Sequence, residues 1–329
     1  MTALAPTLQA FFTDRLARQR GASPNTVAAY RDTFRLLLRF AAGRTGKQPC
    51  ELDIGDLDAP LVGAFLDHLE AERHNSVRTR NNRLAAVHSL FGYAALGHPE
   101  HAAVIQRVLA IPPKRFERNL VTFLNDAEVD ALLGACDRGT WTGRRDHAMF
   151  VLAIQTGLRI SELRQLTCED VTLGTGANVH CVGKGRKERR TPLLALTVSV
   201  LRTWLAERNG AAAEPLFPTV TGKQLSRDAI EHRVAHCVSK AGEGCGSLRT
   251  KHVTTHTFRH TAAMRLLLSG VDVTVIALWL GHEQVTTTNT YLHADMTQKE
   301  RAIARTTPPT TKPGRYRAPD QVLAFLDSL

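Results

Sequence analysis

Four side chains near the C-terminal end of the sequence are of types that act together on phosphate. His256 and Arg259 stand three residues apart in HTFRH, so a helix would place them on one face. The run LGH predicts a helix end at Gly281, with His282 directly after it. Tyr291 follows nine residues later, behind the Thr-rich stretch TTTN that opens a short helix. Two helix ends would therefore bring two imidazoles, a guanidinium and a phenol together.

This combination favours attack on a phosphodiester rather than on a carbonyl group. A phenol has a pKa of about 10 and is a poor nucleophile unless nearby cations stabilise its anion. Arginine binds phosphate oxygens in bidentate fashion. An isolated H-x-x-R, or a lone tyrosine after a helix, more often reflects packing, so the interpretation depends on what the upstream sequence adds.

An upstream arginine has the surroundings of a buried functional group. The segment RRDHAMFVLAIQTGLRISEL begins with a nearly all-apolar helix that Gly157 should end. Arg159 emerges just before the next turn, in apolar surroundings where a charge needs a partner. Glu162, three residues further on, is the predicted partner.

A lysine lies at a predicted hairpin tip. ANVHCVGKGRKERRTPLL indicates two short strands joined by a Gly-Lys-Gly turn, with Lys184 between the glycines. The basic residues that follow the tip fit a loop that touches backbone phosphates. These residues are Lys187, Arg189 and Arg190.

The composition favours a nucleic-acid partner. Lys and Arg number 42 against 31 Asp and Glu in 329 residues, a formal net charge of +11. The six cysteines show no C-x-x-C pairing, which indicates reduced thiols in a cytoplasmic protein rather than disulfides or a zinc site. No run reaches the length of a membrane span and no export signal is present, so we expect no membrane to be involved. None of the histidines forms H-x-x-x-H next to a carboxylate, and we expect neither a metal nor a cofactor.

The first 110 residues predict a helical domain. Ser23 and Pro24 begin one helix, and a third helix runs from about Ala59 to Ala71. The fourth starts with basic residues and continues as an apolar stripe, which suits a helix lying on phosphates. A solvated basic face is the alternative. The basic residues in question are Arg78, Arg80 and Arg83.

Residues 111–121 predict an interdomain linker, and 122–305 a second domain. IPPKRFERNLV contains two prolines that disfavour helix, and its Lys114 and Arg115 suggest that two basic domains close around a duplex. In the second domain, Arg227 and Arg233 of the helix capped by Ser226 could face DNA. Residues 306–329 predict a Thr/Pro tether and an amphipathic tail helix.

With these residues placed, the sequence resembles the tyrosine recombinases, also called the phage integrase family. TGLRISEL is similar to the family's first Arg box, GKGRKERRTPL to its hairpin Lys motif, HTFRH and LGH to its second box, and TTTNTYLH to its nucleophile segment. The resemblance covers most of residues 120–300 in the right order, and residues 1–110 resemble the family's helical core-binding domain. It implies a mainly α fold with a small antiparallel β-sheet, made of a helical (SAM-like) DNA-binding domain and an α+β catalytic domain.

The resemblance also implies a role for each site residue. Tyr291 would attack the scissile phosphate to form a 3′-phosphotyrosyl link. Arg159 and Arg259 would bind the non-bridging oxygens, and Lys184 would protonate the leaving 5′-oxygen. Glu162 would support the first arginine. His256 would accept the tyrosine proton or donate a hydrogen bond to the phosphate, and His282 would donate a hydrogen bond to a phosphate oxygen.

The implied function is site-specific strand exchange on double-stranded DNA by a homotetramer, through a Holliday junction. Integration, excision or transposition of a mobile element is the favoured use, with or without sister recombinases from the same element. A Xer-like resolvase of chromosome or plasmid dimers, a type IB topoisomerase-like enzyme that relaxes supercoils, and a DNA-binding regulator with a relic site are the alternatives.

Overall fold

The chain is organised as two compact units, residues 1–118 and 119–329. The structure is a computed structural model that describes residues 4–116, 121–183 and 187–282, and the single residues Thr288, Tyr291, Leu323, Phe325 and Leu326. Within these residues it is mainly helical with one small antiparallel sheet, which confirms the predicted fold class.

The N-terminal unit is helical throughout its described regular structure. Helix α1 passes directly into a π-helical segment, Phe11–Gln19, and single 3₁₀ turns occur at Pro49–Glu51, Ile54–Asp56 and Pro99–His101. The α-helices are α1 (Leu4–Ala10), α2 (Pro24–Thr45), α3 (Ala59–Ala71), α4 (Val77–Ala94) and α5 (Ala102–Leu109).

Side-chain caps fix where these helices begin. Ser23, Asp58 and Ser76 each accept a hydrogen bond from the backbone N–H three residues on, which satisfies a donor that the first turn leaves unpaired. The helices close over one apolar core that includes Phe11 and Phe65, both with no exposed surface. Complete burial of such a side chain contributes roughly 2 kcal/mol.

The C-terminal unit surrounds one hydrophobic helix with further helices and the sheet. Its helices are α6 (Asp126–Gly134), α7 (Trp141–Thr156), α8 (Ile160–Gln165), α9 (Ala195–Arg208), α10 (Arg227–Gly244), α11 (Thr255–Leu268) and α12 (Val273–Leu280). Its strands are β1 (Val171–Thr172), β2 (Asn178–Val182) and β3 (Glu188–Pro192), with 3₁₀ turns at Cys168–Asp170 and Gly246–Arg249.

Helix α7 is the centre of this unit. Residues 148–154 of α7 are all buried, which explains why the sequence is apolar on every side there. The helix ends at Gly157 in the left-handed conformation (φ 65°), as predicted. Helix α11 packs along it, with Phe258 against Phe150 at 5.4 Å between ring centroids. The central helix therefore positions both Arg159, just beyond its end, and the residues of α11.

The sheet has the order β1-β2-β3 and is antiparallel throughout. Val179 pairs with Thr191 and Cys181 with Arg189, so these inward residues share the buried face. Strand β1 was not predicted, because two residues are too few to show an alternating pattern. Helix α9 ends at Asn209, which takes the left-handed conformation (φ 48°).

None of the helices within the described ranges is both long and apolar enough to span a membrane.

Candidate active site

A buried arginine lies where two helices end. The Arg259 side chain is 2% exposed, and it donates from Nη1 to the Gly157 carbonyl at 2.7 Å and from Nη2 to the Leu280 carbonyl at 2.6 Å. These carbonyls belong to the last turns of α7 and α12, where no intrahelical N–H is available to them and the helix dipole is negative. The two helix ends therefore hold the guanidinium in place and stabilise its charge.

Arg159 is held by a carboxylate and by a third backbone carbonyl at a helix end. It is the N-cap of α8, and its backbone N–H donates to Glu162 Oε2 at 2.7 Å. Its Nη1 donates to Glu162 Oε1 at 2.9 Å, and its Nη2 to the Gly281 carbonyl at 3.1 Å. Because the side chain is still 32% exposed, its remaining N–H groups can reach a ligand from solvent.

Arg159 and Arg259, here called the arginine pair, make an electropositive site. Burial, with the neighbouring Arg159 charge, lowers the pKa of the Arg259 guanidinium to about 10. Arg259 stays protonated at neutral pH, so two cations adjoin while the carboxylate of Glu162 bonds only one of them. The site is therefore suited to bind an anion.

Tyr291 is 3% exposed and packs against α11 and α12 residues, including Met264 and Leu280. Its Oη lies 2.9 Å from Nδ1 of His260, and the two rings meet edge to face at 5.5 Å. Burial raises the pKa of the phenol, against the lowering effect of Arg259 and Arg159. The hydroxyl is therefore protonated at rest and has an imidazole nitrogen as its partner.

His260 is the residue that sequence reasoning missed. It follows Arg259 directly and lies one helical turn after His256, and the ring centroids of the two histidines are 4.3 Å apart. That i, i+4 spacing in HTFRH was the available signal. His256 itself is exposed on α11, so it lies at the solvent side of the site, whereas His260 contacts the tyrosine.

Both His260 and His282 are uncharged at neutral pH. Burial lowers the pKa of His260 to about 4, with smaller contributions from His256 and Arg259. Burial also lowers the pKa of His282 to about 4, helped by the charges of Arg259 and Arg159. A neutral imidazole can accept a proton, which an imidazolium cannot.

The His282 ring is held by a hydrogen bond with a threonine hydroxyl. Its Nδ1 lies 2.7 Å from the Thr288 Oγ1, which is fully buried. When the threonine donates to Nδ1, the ring proton is on Nε2, where it can be offered to a phosphate oxygen.

Lys184 lies outside the described residues. The two residues that flank its segment are bonded to each other, since the Gly183 N–H donates to the Lys187 carbonyl at 2.8 Å. This bond closes the base of the β2–β3 hairpin that the sequence predicted.

The remaining basic residues divide by exposure. Arg83 is half-buried, and burial together with Arg73 lowers the pKa of its guanidinium. Lys114 is about half exposed and bonds Glu70 at 2.5 Å. The predicted DNA contacts that lie on the surface are Arg78, Lys114, Arg115, Lys187, Arg190 and Arg227.

Three of the predicted DNA contacts are instead bonded inside the protein. Arg80 is 5% exposed and donates to the Pro112 carbonyl at 3.3 Å. Arg233 pairs with the fully buried Asp146 at 2.5 Å, and Arg189 with Glu162 at 2.7 Å. Each of these guanidinium groups therefore has an internal partner that the sequence does not reveal, and their contact with phosphate stays a prediction.

The sequence is similar to a known family along most of its length. The Phage integrase family profile matches residues 122–298, and the profile of the phage integrase N-terminal SAM-like domain matches residues 10–97. A putative integrase/recombinase, y4rC of Sinorhizobium fredii, is 53% identical over 326 residues, covering 99% of this chain and 98% of the relative. The tyrosine recombinase XerD of Pseudomonas putida is 31% identical over 289 residues, 86% of this chain and 91% of the relative.

A solved structure shares the fold. The site-specific recombinase XerH, in a post-cleavage complex with a palindromic difH substrate, aligns with a TM-score of 0.67 at 23% identity. The alignment covers 87% of this chain and 81% of XerH.

Proposed function

The chain belongs to the phage integrase family and is a tyrosine recombinase, an enzyme that cleaves and rejoins DNA strands, and from this we propose how its own residues carry out the reaction. Tyr291 Oη attacks the scissile phosphorus, so that an O–P bond to tyrosine forms while the bond from phosphorus to the 5′-oxygen breaks. The products are a 3′-phosphotyrosyl link and a free 5′-hydroxyl. The link keeps the phosphodiester's energy, so a 5′-hydroxyl can later attack it and restore DNA.

The observation that carries this proposal is the hydrogen bond between Tyr291 Oη and His260 Nδ1 beside the arginine pair. A buried phenol with a raised pKa needs an acceptor for its proton when it attacks. The neutral His260 ring is in hydrogen-bond contact with it, so we assign the proton to His260 Nδ1. His256, which the sequence favoured as acceptor, is then left to donate to the phosphate from the solvent side.

The arginine pair stabilises the charge that develops on the phosphate. Each guanidinium has five N–H donors, of which the contacts above engage only some. The unused donors can bind the two non-bridging oxygens as they gain charge in the pentavalent transition state. Preorganised donors of this kind commonly supply the largest part of rate acceleration. His282 adds a donor from Nε2, and Lys184 gives its proton to the leaving 5′-oxygen.

We further propose that strand exchange joins two DNA sites within a homotetramer, through a Holliday junction, and serves a mobile element. The full-length similarity to a protein named integrase/recombinase supports this use. The tail supports assembly, because its Leu323, Phe325 and Leu326 are 43%, 60% and 54% exposed. Apolar side chains of a short helix need a surface to cover them, and a neighbouring protomer would supply it.

Supercoil relaxation in the manner of type IB topoisomerases is the second candidate, because it would use the same cleavage chemistry. A Xer-like resolvase of DNA dimers is the third. Plasmids that carry one DNA site or two DNA sites distinguish relaxation from recombination. Relaxation needs only one site, whereas recombination changes the connectivity of a plasmid that carries two.

A single covalent-trapping experiment tests the proposed cleavage and identifies the DNA site. The wild-type chain and Tyr291→Phe are each incubated with fragmented genomic DNA that includes the gene's own flanks, denatured with SDS, and the attached DNA is sequenced. Tyr291→Phe removes one hydroxyl and should leave folding and DNA retention unchanged. We expect discrete adducts with the wild-type protein and none with the variant. Adducts with Tyr291→Phe would show that another residue is the nucleophile.

A further inference from the structure

One arginine of strand β3, Arg189, lies within the site. Arg189 Nη1 and Nη2 donate to Glu162 Oε1 and Oε2 at 3.0 and 2.7 Å, a bidentate pair. The side chains are only 12% and 2% exposed. Solvent therefore competes little with this pair, unlike the exposed ion pairs on the surface of the same unit.

The same carboxylate also holds the catalytic Arg159. Glu162 accepts from the backbone N–H and from Nη1 of Arg159 as well as from both terminal nitrogens of Arg189. Burial alone would raise the pKa of the Glu162 carboxyl, but its bonds and charge interaction with Arg189, and those with Arg159, hold the pKa below its ordinary value. One buried anion is thus shared between two cations.

Arg189 also lies against the backbone beside two further site residues. A Cβ added to Gly183, which precedes Lys184, would lie 3.3 Å from Arg189 Nη1 and 3.2 Å from Glu162 Oε1. A Cβ added to Gly281, which precedes His282, would lie 3.1 Å from Arg189 Nη1. The absence of a side chain at these two positions is what lets the guanidinium fit between them.

We propose that Arg189 is a positioning residue for cleavage, acting through Glu162 on Arg159 and through packing on the chain beside Lys184 and His282. This rests on the proposed cleavage reaction. Arg189 takes up part of the negative charge of Glu162, so the carboxylate orients Arg159 without neutralising it. The Arg159 charge is then free to act on the phosphate.

Loss of Arg189 would change the balance at Glu162. The carboxylate would no longer share its charge with Arg189 and would attract the Arg159 guanidinium more strongly, which would draw that guanidinium away from the phosphate. Displacement of a catalytic group by about 1 Å can cost about 100-fold in rate. DNA affinity should change little, since Arg189 spends its Nη donors inside the protein.

Arg144 provides a matched control, because it also bonds a carboxylate through two of its nitrogens. Its Nε and Nη2 donate to Glu207 at 2.8 to 3.0 Å, but this pair lies on the surface, with side chains 37% and 27% exposed. Arg189→Gln and Arg144→Gln are therefore compared in the full-length chain, on a nicked duplex that carries the DNA site at which the wild-type chain forms its covalent adduct. A failure of the proposed cleavage would already appear with the wild type, so it cannot be confused with a failure of the role of Arg189.

Four comparisons separate positioning from a structural or a DNA-contact role. Single-turnover adduct formation should fall about 10- to 100-fold in Arg189→Gln and less than about twofold in Arg144→Gln. Arg189→Lys, which keeps the charge, should recover part of the loss. In a Glu162→Gln background, Arg189→Gln should add less than about threefold, because the two residues act as one unit. The slope of log affinity against log salt should be unchanged in Arg189→Gln.

Two outcomes would overturn the proposal. A full, multiplicative loss from Arg189→Gln in the Glu162→Gln background would mean that Arg189 does not act through Glu162. A salt slope lower by about 0.9 in Arg189→Gln, with cleavage normal at saturating protein, would make Arg189 a phosphate contact instead.

Discussion

Replacement of His260 by asparagine tests which histidine takes the tyrosine proton. The asparagine amide can occupy the position of Nδ1 and still accept a hydrogen bond from the Tyr291 hydroxyl, but it cannot accept the proton. The variant therefore separates the placement of the nucleophile from its activation. His256→Asn is the matched control, because it makes the same change one helical turn earlier.

The structure sets the direction in which the proton is held at rest. Burial lowers the pKa of His260 to about 4 and raises the pKa of the Tyr291 phenol, so both shifts keep the proton on the tyrosine oxygen. A separated phenolate–imidazolium pair is therefore not populated in the free chain. A DNA phosphate bound in the site would stabilise the imidazolium cation of His260 through its negative charge. We therefore expect the tyrosine proton to move to His260 as Tyr291 attacks the phosphate.

General-base catalysis of this kind contributes about 10²- to 10⁴-fold, and we expect a loss of at least about 100-fold in His260→Asn near pH 7. The sign of the pH dependence follows from the lowered pKa. Wild-type His260 is neutral above about pH 4 and loses its acceptor function only as the pH falls through that value. Wild-type cleavage should be nearly flat from about pH 6 to 9. In His260→Asn, cleavage should rise about tenfold per pH unit, as hydroxide replaces the missing base.

The assay is single-turnover formation of the covalent adduct on a nicked duplex, measured on a denaturing gel across that pH range. Equal melting temperatures and equal DNA retention are required of both variants. The reasoning is refuted if His260→Asn cleaves within about threefold of wild type and remains flat with pH. If His256→Asn instead shows the steep pH dependence, the proton passes to His256, as the sequence had suggested.

Three further predictions concern the acid, the DNA surface and the tail. Lys184→Ala should lose at least about 100-fold in cleavage rate. It should regain that rate on DNA with sulfur at the bridging 5′ position, because the sulfur leaves without a proton. Arg159→Ala should not be rescued by the sulfur, and equal rescue of both variants would remove Lys184 from the acid role. Replacing exposed Arg78 and half-buried Arg83 by Ala should lower the salt slope of binding by about two in total, and an unchanged slope would assign them to a solvated face. Deletion of residues 315–329 should keep single-site binding near normal but weaken two-site synapsis and recombination, whereas loss of single-site binding would place the tail on its own protomer.

Local signals in the sequence located much of the secondary structure. Ser23 as a cap and the glycine ends at Gly157 and Gly281 all occur as expected. Each depends on interactions within a few residues, so the sequence contains what decides it. The resemblance to tyrosine recombinases then ordered the site residues, because their sequence order and spacing follow a known pattern.

What escaped prediction depends on contacts between distant residues. His260 meets Tyr291 across 31 positions, and nothing in HTFRH says which of its two histidines faces the phenol. Arg189 is one of several similar residues in a basic run, and only the buried Glu162, 27 positions earlier, distinguishes it. Arg233 is separated from Asp146 by 87 positions. The sequence alone does not distinguish a basic residue with an internal carboxylate partner from one that is free to contact DNA.

The anchoring of the arginine pair by main-chain carbonyls has a consequence for how such an enzyme can change. Gly157, Leu280 and Gly281 hold the guanidinium groups through backbone oxygens, which every amino acid carries. The oxygens stay in place as long as the chain turns at the ends of α7 and α12. Residues on the exposed faces can then be exchanged to read a different DNA sequence without rebuilding the groups that we propose to bind the phosphate. The fold in this way separates an invariant reaction from an adaptable choice of target.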